Sequence, residues 1–102
     1  EVLTSAGYAV QAASDGLNAI RYMEETRFDV VLTDVAMPQM DGLELLTEIR
    51  DRWPESRVVV HSNLLTWRVA RLAKVEGAYA CVSKSHNIAQ LLKTIASASL
   101  AA

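Results

Sequence analysis

The chain has little cysteine, glycine or net charge, and each shortage removes a class of explanation. Its one cysteine, Cys81, cannot close an internal disulfide, which fits a reducing compartment. Only four glycines are present, and none form the Gly-rich loop that cradles phosphates. No His/Cys spacing suits zinc, and no Ser-His-Asp motif is present. Ten basic residues against twelve acidic ones leave a net charge of −2, which gives no footing for nucleic acid or an anionic membrane surface. No apolar run reaches the roughly 18 residues of a membrane span, and the start does not read as a secretory leader. There is no repeat, linker or low-complexity stretch. The first residue is Glu1 rather than Met, inside a helical pattern, so the natural N-terminus is expected further upstream.

What is present is one domain of 102 residues, about half of them apolar, enough for a core. Three short β-branched runs stand out: Phe28–Asp34, Ser56–Asn63 and Ala78–Lys84. A weaker fourth, Tyr8–Ser14, reads as a further strand. Continuous rather than alternating apolar character indicates strands covered on both faces, as in a parallel sheet.

Helical patterns lie between the runs. Asp15 is placed to cap a helix whose inward positions are Leu17, Ile20 and Met23. Asp41 and Glu44 have capping-box spacing before Leu45, Leu46, Ile49 and Trp53, with Pro54 as the stop. A third helix would turn Val69, Leu72 and Ala73 inward and end at Gly77. A fourth, with Asn87 and Gln90 in capping register, carries Ile88, Leu91, Leu92 and Ile95 as its stripe, and the Ala/Ser tail from Ala96 reads as a fraying end. Strict alternation of strand and helix predicts a doubly wound α/β domain. Such sheets place their sites at the carboxyl ends of the strands. The residues there are Asp34, Ser62 with Asn63, and Lys84.

Asp34 ends the apolar run "VVLTD", where a bare carboxylate is costly unless it is paired, hydrated or metal-bound. Two readings are open at this point. Asp34 and Lys84 could form a salt bridge at the rim of the sheet. Alternatively, the carboxylate could be a nucleophile toward phosphorus, with Lys84 as cation and Ser62 as hydroxyl donor.

The segment "DVAMPQMDG", Asp34 to Gly42, bears on that choice. It resembles the phosphoacceptor segment of the receiver domains of two-component response regulators, Asp-x-x-Met-Pro-x-Met-Asp-Gly. "GYAVQAASDGLNAI" is similar to that family's second strand and helix, "VVVHSN" to its fourth strand, and "GAYACVSKS" to its fifth. The resemblance implies a flavodoxin-like (βα)5 fold of strand order 2-1-3-4-5. It implies phosphoryl transfer from a histidine kinase or phosphotransfer protein to Asp34, with Ser62 and Lys84 contacting the phosphoryl group. It also implies Mg²⁺ held by Asp34, the backbone carbonyl of Ala36 and an acidic pair that follows the first strand. "EVLTSAGY" looks like the end of the first helix, so that strand and pair are expected upstream of this chain.

Three positions depart from the family pattern. Cys81 stands where an aromatic is common, and Asn63 where a small residue is common; both are candidate modulators of the pocket. Ser85 replaces a proline. His61 reads as a hydrogen-bonded structural residue and His86 as a solvated one. Arg68, Arg71 and Lys74 beside Trp67 read either as a solvated helix face or as a partner surface. By resemblance, a homodimer or output face would lie on the fourth helix, fifth strand and fifth helix. The whole reads as a cytoplasmic phosphorylation switch rather than an enzyme with turnover on a separate substrate. The alternatives are a phosphorylation-independent pseudo-receiver that acts as an interaction module, or a small enzyme on the same fold.

Overall fold

The computed structural model describes residues 2–34, 42–62, 67–84 and 88–101. A short helix α1 (Val2–Ser5) turns off at Gly7, whose φ of 97° is left-handed. Then follow α2 (Gly16–Glu25), β1 (Val30–Thr33), α3 (Gly42–Arg52), β2 (Arg57–Ser62), α4 (Trp67–Val75), β3 (Ala80–Ser83) and α5 (Ile88–Ala101).

The strands form a parallel sheet in the order β1-β2-β3, with Val31 beside Val58 and Val60 beside Cys81. The register is fixed where the strands begin. Arg57 N donates to Asp29 O at 2.9 Å, Tyr79 N to Val58 O at 2.8 Å, and the Ser56 hydroxyl to Phe28 O at 2.6 Å. The alternation of β2 then decides which side chains meet which helices. Val58 and Val60 face the larger cluster, with Ile20 and Met23 of α2, Leu45, Leu46 and Ile49 of α3, and Ala73 of α4. Val59 points the other way, toward Val82 and Ala98 of α5.

Local signals explain the helix ends. Asp15 caps α2 as expected, its carboxylate accepting from Asn18 N at 2.9 Å. α4 stops at Gly77, whose φ of 106° suits glycine, and Ala78 N closes on Ala73 O at 2.9 Å. The cap expected from Asp41, and the one from Asn87, lie outside the described residues.

Several expectations need correction. Tyr8–Ser14 is not a strand. A strand forms only against a neighbour's ladder, and among the described residues the sheet is β1-β2-β3 with no pairing to this segment. It runs instead beside an apolar groove of about 520 Å³, lined by Tyr8, Val10, Tyr22, Leu32, Leu45 and Ile95. Leu17, Leu72 and Ile88, expected inward, are exposed. Leu17 and Leu72 stand at the edges of their helices' apolar stripes, whereas Ile88 opens α5, a turn before the first buried residue, Leu91. The Ala/Ser tail does not fray at Ala96: α5 continues to Ala101, because Ala98 is fully buried against the sheet.

Candidate functional site

β1 and β3 flank β2 and end at the same edge of the sheet, and the residues just beyond those ends meet across it. Lys84 Nζ donates to Asp34 Oδ2 at 2.9 Å. The pair spans two strand spacings, roughly 10 Å of sheet, so it forms only because the lysine arm reaches across the end of β2. Two backbone contacts steady it. Lys84 N donates to Ser62 O at 3.1 Å, and the Thr33 hydroxyl donates to Asp34 O at 3.1 Å. Both partners stay open to solvent, with side-chain exposure of 27% for Asp34 and 40% for Lys84. The pair is thus a salt bridge at the rim of the sheet whose carboxylate is open to a reagent. An exposed ion pair contributes at most about 1 kcal/mol to stability.

The other expected site residues fall in different places. Ser62 ends β2, adjoining the pair through its backbone, and is fully buried on the face of Val58 and Val60. Cys81 is half-buried on β3, and its thiol donates to Ala70 O at 3.8 Å. Burial pushes that thiol's pKa up, with Lys74 opposing, and Cys81 packs against the larger cluster. Ala36, Asn63 and His86 lie outside the described residues. The structure adds His61, half-buried one place before Ser62. Its pKa is lowered, first by burial and then by Lys84, with Asp34 opposing. The signal for it was the strand register, which a single sequence does not print.

Among the described residues no group of three His, Cys, Asp or Glu side chains could hold a metal ion. Asp34 offers one carboxylate at the strand ends, short of the octahedral oxygen set that Mg²⁺ requires. Nor, among the described residues, is any helix long and apolar enough to cross a membrane.

A parallel α/β sheet whose polar residues gather at the carboxyl ends of its strands defines a flavodoxin-like domain with its site at the sheet's rim. The chain belongs to the response regulator receiver domain family, whose model matches residues 1–96. Sensor kinase CckA of Brucella abortus is 34% identical over 95 residues, covering 91% of this chain and 10% of the kinase. The receiver domain of NtrX from Brucella abortus superposes with a TM-score of 0.90 at 26% identity, covering 99% of this chain and 86% of that one. CheY in the CheX-CheY-BeF3-Mg²⁺ complex from Borrelia burgdorferi gives 0.85 at 28% identity, covering 92% of this chain and 72% of that one. The chain spans from a tenth to two-fifths of the length of the curated relatives it matches first.

Proposed function

We propose that this receiver accepts a phosphoryl group on Asp34 and passes the change in charge to a partner surface. The observation that carries the reading is the 2.9 Å pairing of an accessible Asp34 with Lys84 at the strand ends of a receiver domain. In the transfer, an Asp34 oxygen attacks phosphorus as the P–N bond of a donor phosphohistidine breaks. The electron pair of that bond leaves with the imidazole, which then takes a proton from solvent. Lys84 is placed to move from the carboxylate to the phosphoryl oxygens, and Ser62 adjoins it. A bound Mg²⁺ neutralises charge on the phosphoryl oxygens in such chemistry. The complex of the Borrelia neighbour with BeF3 and Mg²⁺ supports including that ion here. Asp34 is its one ligand among the described residues, with the Ala36 carbonyl beside it in this reading.

The donor in this reading is a sensor histidine kinase or phosphotransfer protein in the cytoplasm. The domain is a switch without turnover on a separate substrate, and its output or dimer face is α4, β3 and α5. A second reading, a pseudo-receiver that binds partners without phosphorylation, draws on the absence, among the described residues, of a group of three side chains that could hold a metal ion.

The test is intact mass of the full-length protein after incubation with a small acyl phosphate and Mg²⁺. One added phosphoryl group is expected, lost in Asp34→Asn and lost with a chelator. An unchanged mass in the wild-type protein overturns the switch and leaves the pseudo-receiver.

A further inference from the structure

The Lys84–Asp34 contact crosses the end of β2, and one side chain of β2 lies on the crossing path. Thr33 is registered with Val60, so the next position of β1, Asp34, falls beside His61. On the other flank His61 is registered with Val82, and Lys84 follows two residues later, on the same face. That face also carries Val59, Val82 and α5, and it is opposite the face that buries Ser62. His61 therefore stands between the two partners of the ion pair, and its half-buried ring feels the charge of both. Among the described residues no hydrogen bond commits that ring elsewhere. The apolar residues of this face are Leu32, Val59 and Val82, and Asp34 and Lys84 are the charged ones that act on the ring. The ring is only partly buried, so its nitrogens stay available to the groups on either side.

We propose that His61 is a positioning residue of the phosphoacceptor site, its imidazole bracing the Lys84 arm where that arm crosses β2 so that the ammonium is held at the acceptor oxygens. A neutral imidazole has one donor and one acceptor nitrogen, so it can accept from the lysine ammonium or donate to a phosphoryl oxygen. Lysine has a flexible four-carbon stem and a strongly hydrated head, and without a brace its ammonium spreads over many positions. Holding it at the site shortens the search when the phosphoryl group arrives. His61 acts through Lys84 and takes no part in bond making. The proposal rests on Asp34 being the acceptor.

A double-mutant cycle on the full-length protein separates bracing from simple packing. The rate of phosphoryl uptake from an acyl phosphate is followed by intact mass for wild type, His61→Leu, His61→Gln, Lys84→Ala and the double variant His61→Leu/Lys84→Ala. Thermal melting confirms that each is folded. His61→Leu keeps the bulk and loses the polar ring. It is expected to slow uptake by about 3- to 10-fold, the kinetic equivalent of losing one modest polar contact. His61→Gln is expected to recover at least half of that loss. In the Lys84→Ala background the His61→Leu change is expected to have no further effect, because the arm it braces is gone. Equal rates for His61→Leu and wild type overturn the proposal, and so does a His61→Leu effect of full size without Lys84. A wild-type protein that takes up no phosphoryl group overturns the acceptor reading as well, and that result is distinct from the other two.

Discussion

The two faces of the sheet are built differently. On one, three helices converge on β2, and Leu45, Leu46, Ile49, Val58 and Val60 are each no more than 3% exposed. On the other, among the described residues, α5 covers Val59 and Val82, and the contact is made by a residue as small as Ala98. The polar residues of the strand ends follow this division. Ser62 and Thr33 are sealed on the thick face, while His61 belongs to the thin one, beside the open Asp34–Lys84 pair. The thick face supplies the rigidity and the thin face the access. A carboxylate that must meet a reagent is best placed where little packing depends on it.

Removing the same side chain from each face gives the largest effects and the most direct test. Ile49→Ala is expected to destabilise by the upper part of about 2–5 kcal/mol in urea unfolding, because the α3 cluster cannot close around the hole. Ile95→Ala on α5 should fall in the lower part of that range, since Ile95 borders the groove beside Tyr8–Ala13. Equal losses would break the comparison. Next come two glycines with similar backbone angles and different surroundings. Gly77→Ala meets both a left-handed φ and Arg50 Cδ at 3.3 Å, and about 1–2 kcal/mol of lost stability is expected. Gly7→Ala meets open space and should cost less by the same measurement.

At the site itself stability should barely register change. Lys84→Ala is expected to shift unfolding by no more than about 1 kcal/mol while reducing phosphoryl uptake, which separates the site's chemistry from the domain's stability. The smallest effect concerns pH. Burial lowers the pKa of His61, so the unfolded chain binds a proton that the folded chain resists. Stability should therefore be level above the ordinary imidazole pKa of about 6.5 and sag gently as pH falls below it. Thermal melts should show that sag reduced in His61→Leu.

Much of the architecture was legible because it depends on local chemistry. Three β-branched runs became three parallel strands within two residues of their expected limits at most points, Asp15 capped its helix, and Gly77 ended another. The meeting of Asp34 and Lys84 followed from the rule that places sites at strand ends. What escaped was set by neighbours. Tyr8–Ser14 has enough apolar character for a strand, but pairing is a property of two segments. Leu17, Leu72 and Ile88 lie on amphipathic helices whose depth in the core only the partner helices decide. The register of His61 beside Asp34 and Val82 is likewise a property of three strands together, which one strand's sequence does not carry.

The lower end of α4 is tied at several points. Glu76 Oε2 accepts from Thr47 at 3.2 Å and from Arg50 at 3.0 Å, which fastens the turn to α3, and Lys74 Nζ donates to Tyr79 O at 2.9 Å, which fastens it to β3. Nine residues of helix then extend from that anchor toward the strand ends, about 13 Å of rod. The middle of that rod is seated too, with Ala73 fully buried and Ala70 O accepting from the Cys81 thiol. The two ties at its lower end are separable: loss of the Glu76 carboxylate would release the turn from α3 while Lys74 still holds it to β3.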